Sequence, residues 1–371
     1  MPIVIVVLIS ISVLSTPAPA AESKASVATP KRAKPALPEV PVKYVGDTDK
    51  TIIRRAEWIE AAKKEGGMAW WGTFTPVEAR KVVSEFNKIY PFIKVDYWRG
   101  GAIEVATKLE AEVTGGRYNV DICNGPEPFH IARWRGMGVL AKFIDIIPGI
   151  DKINKQMYSK YGDWIMPGLI GMTPQYNTKL VTTAEAPKSW EDLLDPKWKG
   201  QLGMPVDMKG WTRLAVGEGG WGIEKTEKFL SKIKEQMPIW SGSNLAANAL
   251  LATGETRVLG SGHIRHVYLN IEKGAPVQWV RANPVVVTGS NWVLVQKAPH
   301  PNAARLWVEW LFSPQGLATF EKITYYGPAV GESRLAKDLK GLDLVYSTEE
   351  GDLKITEMDL EKKFYEIVGV K

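Results

Sequence analysis

Between residues 51 and 140 the apolar positions switch back and forth between two spacings. Ile52, Ala56, Ile59 and Ala62 recur at helical intervals, and Gly66-Gly67 stops that stretch. Met68–Trp71 is a short unbroken apolar run, the pattern of a strand buried on both faces. Gly72–Thr75 predicts a loop, with Thr75 as the cap and Pro76 as the first turn of a helix. That helix carries Val77, Val82, Val83, Phe86 and Ile89 and ends at Tyr90-Pro91. Ile93–Trp98 reads as a second strand, and Arg99-Gly100-Gly101 opens a helix to about Val113. Val120–Cys123 reads as a third strand, and Asn124-Gly125-Pro126 leads into a helix near Phe129–Trp134. The order αβαβαβα predicts a parallel sheet with helices on both faces. Its strand-to-helix loops lie at the carboxyl edge, where open α/β sheets bind ligands, and amides at helix starts suit anions.

A second region begins with an extended run, Leu169–Tyr176. Ser189–Leu194 starts with a serine cap and predicts a short helix. Leu202–Pro205 predicts a strand, and Trp211–Val216 and Ile223–Glu235 predict helices around a glycine-rich turn. Ser241-Gly242-Ser243-Asn244 precedes a helix, Leu245–Thr253, that Gly254 ends. Val258–Gly260, Val277–Val280, Asn283–Val287 and Asn291–Val295 are extended; Ala303–Phe312 and Pro314–Lys322 are helical. No fixed-period repeat is visible. Gly217–Gly222 matches G-x-G-x-x-G but follows a helix, so it lacks the strand context of a dinucleotide site and reads as a turn.

Composition narrows the functional classes. Hydrophobic residues make up 45% and charged residues 24%, the balance of a folded chain, and 371 residues allow two domains or lobes. A single cysteine, Cys123, excludes an internal disulfide framework. Half of the +6 charge lies in residues 1–46, so the basicity gives no reason to expect nucleic-acid binding. Residues 3–14, IVIVVLISISVL, are too short to span a bilayer, which takes about 20 apolar residues. With Ala18-Pro19-Ala20 behind them they predict a secretory signal over 1–20 and export to the periplasm. Residues 21–46 are rich in proline and lysine and predict a flexible tether.

Four stretches carry a resemblance: FNKIYPFIKVDYWRGG, LEAEVTGGRYNVDIC, YNTKLVTTAEAPKSWEDLLDPKWKGQLGMP, and HPNAARLWVEWLFSPQGLATF followed by YYGPAV. Together they resemble the extracellular solute-binding proteins of ABC importers, in the group for ferric iron, phosphonates and thiamine. The similarity runs over about residues 53–335. It implies an α/β fold of the type 2 periplasmic-binding kind, with two lobes joined by crossing strands and closing on a ligand by a hinge. Lobe 1 is then 47–171 plus 292–322, and lobe 2 is 172–291 plus 323–371. The implied partners are a small-molecule ligand and an inner-membrane permease, with a monomer expected and no cofactor.

Ferric-iron members of that group carry an adjacent tyrosine pair, which by spacing falls near Ile264-Arg265 or Arg265-His266. No tyrosine stands there, and Tyr325-Tyr326 read as packing residues. Arg265 instead suits a carboxylate or phosphoryl group. The candidate ligand contacts are therefore Trp71, Thr73, Phe74, Thr75, Arg99, Gly100 and Asn124 from lobe 1, and Trp211, Ser241, Ser243, Asn244 and Arg265 from lobe 2. They suit a small organic anion, with an aromatic body as one form. Ferric iron is the alternative cargo and an enzyme on the same fold the alternative class. His263 and His266 have metal-ligand spacing but lack the glutamate of a metalloprotease. No nucleophile elbow or phosphate-binding loop supports catalysis.

Overall fold

Cap residues set the helix starts, Thr75 among them as the sequence predicts. Thr48 accepts from the Thr51 amide to begin α1 (Asp49–Glu65), and Thr75 with Glu78 forms a capping box for α2 (Pro76–Asn87). The structure is a computed structural model that describes residues 36–44, 46–143, 145–328, 331–346 and 355–370. The expected signal sequence and most of the expected tether lie outside the described residues.

Between and after those helices the first half runs β1 (Gly67–Gly72), β2 (Lys94–Arg99), α3 (Ala102–Thr114), β3 (Ile122–Asn124), α4 (Pro128–Gly136) and the long β4 (Gly168–Asn177). Then come β5 (Leu202–Pro205), α5 (Lys209–Val216), α6 (Ile223–Glu235), β6 (Ile239–Ser241), α7 (Asn244–Thr253), β7 (Val258–His263), α8 (Ile264–Glu272) and β8 (Val277–Trp279). The chain ends with β9 (Val285–Gly289), β10 (Trp292–Leu294), α9 (Pro301–Leu311), α10 (Pro314–Thr324), β11 (Gly327–Pro328), α11 (Arg334–Asp338), β12 (Leu344–Val345) and α12 (Glu357–Val368).

Two sheets result. A four-stranded sheet has the order β10-β3-β1-β2, with β1 parallel to both β2 and β3. The returning β10 is antiparallel to β3, so this sheet is mixed and mainly parallel. The larger sheet runs β12-β9-β4-β7-β5-β6, with β8 and β11 also paired to β4. Helices α9 and α10 return to pack on α1 and α2, whereas α12 packs on α5 and α6. This is a mixed α/β fold built on two sheets, as expected.

Tryptophan builds the cores. Trp70 on β1 stacks on Trp292 of β10 with centroids 5.2 Å apart, and Trp307, Trp310 and Phe86 extend that cluster. Trp190, Trp211, Trp221 and Phe229 form a second aromatic cluster under the larger sheet. Aromatic pairs at these offsets add about 0.5–1.5 kcal/mol each beyond the area they bury.

The serine-capped stretch at 189–194 forms a short 3-10 helix, Glu191–Leu194, with Ser189 Oγ accepting from the Asp192 amide at 3.2 Å. The strand expected over Val258–Gly260 is longer: β7 runs on to His263 and α8 begins at the next residue, so Arg265 lies on a helix. Glycine at 262 lets that strand continue, since a Cβ there would meet the Gln175 side chain at 2.6 Å. The glycine motif at 217–222 forms the turn between α5 and α6, as its position after a helix predicts.

Candidate functional site

The carboxyl ends of β1, β2 and β3 converge around one buried side chain. Asn124, last on β3, accepts from the Trp70 indole N–H at 2.7 Å and donates to Thr73 Oγ1 at 3.2 Å and Ser290 Oγ at 2.8 Å. It is fully buried. Gly72 is required beside it, because a Cβ there would stand 1.8 Å from Asn124 Oδ1. Gly125 follows at φ +93°, and a Cβ there would meet the Thr73 side chain at 2.4 Å.

Thr73 and Ser290, the two hydroxyls that Asn124 holds, line a cavity of about 260 Å³. The four-stranded sheet and the segments that follow its strands give it Arg99, Gly100–Ala102, Gly125 and Glu127. The larger sheet contributes Ile170, Met172, Asp207, Lys209, Arg213 and His263. Thr288–Ser290, at the end of β9 and just beyond, and Tyr326 complete the wall. The site therefore sits where the strands of both sheets end, as the topology of an open α/β sheet requires.

Its charges are mixed, with three cations against two carboxylates. Lys209 Nζ lies 2.5 Å from Glu127 Oε1, and Arg213 Nη2 lies 3.5 Å from Glu127 Oε2. Burial alone would lower the Lys209 pKa, but the Glu127 and Asp207 carboxylates outweigh it and hold the ammonium charged. Asp207 is fixed by the Lys209 amide at 3.1 Å and by Asn244 Nδ2 at 3.2 Å. His263 is pushed down to about 3, first by burial and then by Arg265, Arg213 and Lys209, so it is a neutral imidazole at neutral pH. Burial raises the Tyr326 phenol, with Arg265 and other nearby cations opposing, so its oxygen stays protonated.

A family model of bacterial extracellular solute-binding proteins matches residues 81–342. The chain belongs to this family. Such proteins capture small ligands in the periplasm for the permease of an ABC importer, and the family is one of transport binding proteins rather than enzymes. An uncharacterized protein of Haemophilus influenzae is 24% identical over 271 residues, 69% of this chain and 75% of that one. The fold is similar to AfuA of Actinobacillus pleuropneumoniae with fructose-6-phosphate bound: TM-score 0.70, 22% identity, 82% of this chain and 99% of that one. It is also similar to iron-bound HitA of Pseudomonas aeruginosa: TM-score 0.62, 20% identity, 82% of this chain and 98% of that one. Among the described residues, no helix of this solute-binding protein is long and apolar enough to cross a membrane.

The sequence-derived contacts divide. Thr73, Arg99 and Gly100 line the cavity. Asn124 lies behind it and holds two of its hydroxyls. Trp71, Phe74 and Trp211 are core residues, each at most 5% exposed. Short strands between helix layers turn their large apolar side chains inward, and position next to a carboxyl-end loop does not override that. Thr75 is spent on its capping box, and Ser243 on the cap of α7. Ser241 and Asn244 are buried at the ends of β6 and the start of α7; Asn244 touches the cavity only through Asp207. Thr75 and Arg265 line a different, larger groove of about 910 Å³ between α2, α8 and α10. That groove is walled by helix side chains and lies off the strand ends.

Lys209, Arg213, Glu127 and Asp207 carry most of the charge of the cavity, yet no motif singles them out; His263 and Tyr326, which the sequence marks only as half of a histidine pair and as a packing residue, line it too. Lys209 and Arg213 are four residues apart on one short helix directly after β5, a spacing that puts both on one face. That was the available signal. Tyr326 lines the cavity while Tyr325 bonds Glu272 outside it, so the adjacent tyrosines face different places.

Proposed function

We propose that this solute-binding protein captures a small organic anion bearing a phosphate or carboxylate group, in the cavity between its two sheets. The observation that carries this is the convergence of Arg99 from the four-stranded sheet with Lys209 and Arg213 from the larger one. Charge-assisted bonds from such cations are worth about 1.5–3 kcal/mol each, and an arginine fork suits planar or phosphoryl oxygens. Glu127, Asp207, Thr73 and Ser290 supply acceptors and hydroxyls for the neutral, hydrogen-bonding part of the ligand. The volume is near the lower end of ligand pockets, roughly 300–1,000 Å³, which favours a compact ligand. Tyr326 and the His263 imidazole are the aromatic rings among the described lining residues and no tryptophan is, so an aromatic body loses the support that tryptophan-lined walls would have given it. The sugar phosphate bound to AfuA is a ligand of the favoured kind.

The rest of the functional reading extends from there. Residues 1–20 are removed on export, and the tether ends before Val40, because Val40, Val42 and Tyr44 of the expected 21–46 tether pack on the core instead. The lobes are 47–171 with 292–322, and 172–291 with 323–371. They close over the ligand by a hinge in the crossing strands, and the protein works as a monomer that delivers its ligand to an inner-membrane permease. Ferric iron is the less favoured cargo, since the cavity offers one protonated tyrosine and its carboxylates already face cations. Titration calorimetry with fructose 6-phosphate, citrate and ferric ion tests the choice. Heat from an organic anion, weakened at least tenfold in Lys209→Met, supports it. Uptake of ferric ion with a visible tyrosinate charge-transfer band, and no heat from either anion, overturns it.

A further inference from the structure

We infer that Glu127 is a built-in competitor for the ligand's anionic group and that it holds the ligand-free cavity shut. This rests on the organic-anion reading above. Glu127 stands at the start of α4, which follows β3 of the four-stranded sheet. Its backbone N–H donates to His130 Nδ1 within its own helix. Its carboxylate leaves that helix and crosses the cavity to Lys209 and Arg213 on α5, which follows β5 of the larger sheet. One side chain thus joins the loops of both sheets across the place where a ligand would lie.

The carboxylate stands where an anion would be drawn. Lys209 and Arg213 are its only direct cationic partners among the described ion pairs, and its side chain is 13% exposed. At this burial, water screens the pair weakly, so Glu127 offsets two positive charges that would otherwise repel each other. An incoming phosphate or carboxylate seeks the same two donors. Both anions cannot hold them at full strength, because two negative charges within a few ångströms repel in a poorly screened site. Glu127 does not use all that the cations offer, however. Arg213 Nε is buried with no hydrogen-bond partner, while Nη2 alone reaches Glu127, and at 3.5 Å. A ligand oxygen can take the idle Nε and displace the long contact first, then compete for Lys209. Each closed, empty cycle is therefore a self-liganded state, and the true ligand exchanges one carboxylate for another instead of entering bare cations.

The test compares wild type, Glu127→Gln and the double variant Glu127→Gln/Lys209→Met. Gln keeps the size of the side chain and the His130 contact of the backbone, so the fold is retained. Small-angle scattering without ligand reads closure, and calorimetry with fructose 6-phosphate and citrate reads affinity. The expected result is a larger ligand-free radius of gyration in Glu127→Gln, with no further increase in the double variant. It also includes an affinity for the better anion raised by about tenfold, the scale of coupling between close charges across an interface. An affinity that stays equal or falls, or an unchanged radius, overturns the role of Glu127 while leaving the anion reading intact. No heat from either anion in any of the three proteins overturns the anion reading, and the competitor with it.

Discussion

Arg265 on α8 donates to the Glu78 carboxylate on α2 at 3.1 Å and to the Thr324 carbonyl at the end of α10 at 2.8 Å. Its guanidinium also lies 5.3 Å from the Tyr326 ring. The arginine that the sequence offers as an anion clamp is thus engaged by the protein itself, and it ties helices from the two halves of the fold together. Arg265→Ala should weaken anion binding only indirectly, by about 0.5–1 kcal/mol, the worth of a partly exposed pair. Calorimetry decides, since a loss of 2 kcal/mol or more would put Arg265 on the ligand.

Asn124 acts from behind the cavity. Its removal strands the Trp70 indole N–H and frees the Thr73 and Ser290 hydroxyls that face the ligand. A buried polar group left without its partner costs about 1–3 kcal/mol. Asn124→Ala should therefore lower unfolding free energy by about 2–3 kcal/mol in a urea titration and weaken binding as well. Asn124→Asp keeps the acceptor for Trp70 and should recover part of the stability but not the ordering of Ser290, because a carboxylate cannot donate to both hydroxyls. A fully stable Ala variant would show that the three bonds add nothing to the fold.

The sequence exposes the fold more fully than the site, and the reasons are physical. Cap residues and the change from period 3.6 to short apolar runs depend on neighbours in the chain, so Thr75-Pro76, Leu202–Pro205 and Ile223–Glu235 are readable within a residue or two. The antiparallel return of β10 beside β3 depends on residues more than 150 positions apart and leaves no local mark. The cavity shows the same split. Thr73, Arg99 and Gly100 follow from the rule that ligands bind beyond strand carboxyl ends. Lys209 and Arg213 obey that rule too, but they open a helix whose aromatic neighbour, Trp211, draws attention and is core. A tryptophan beside a loop looks like a wall from the sequence, and packing decides otherwise.

His263 and His266 make the protein sensitive to acid. Burial lowers the pKa of both, with neighbouring groups adding to it; Arg265, Arg213 and Lys209 act on His263, and His263 and Arg265 act on His266. An unfolded histidine titrates near 6.5, so below that pH the unfolded chain takes up protons that the folded chain refuses. Their contribution is complete above about pH 6.5 and is lost as pH falls toward the folded values, by up to about 1.4 kcal/mol per pH unit for each histidine. The double variant His263→Gln/His266→Gln should flatten the decline in stability between pH 6.5 and 4. Urea midpoints measured across that range check it, and parallel curves for variant and wild type would remove the histidines from the acid response.

Arg55 anchors the first folded residues. It is fully buried, bonds Glu309 on α9 through Nε at 2.7 Å and Nη2 at 3.0 Å, and reaches Asp47 through both terminal nitrogens. It also lies over the face of the Tyr44 ring at 4.3 Å and donates to the Val42 carbonyl. One guanidinium therefore fixes the segment before α1 to both α1 and α9. Arg55→Met keeps the bulk but leaves the Glu309 carboxylate buried without its cation, and losing one partner of a buried pair costs about 3–5 kcal/mol. Adding Glu309→Leu should recover much of that loss, because an apolar pair of similar volume avoids the desolvation that two buried charges demand. Denaturation curves of the single and double variants test the coupling. Equal stabilities for Arg55→Met with and without Glu309→Leu would show that the carboxylate finds another partner once the arginine is gone.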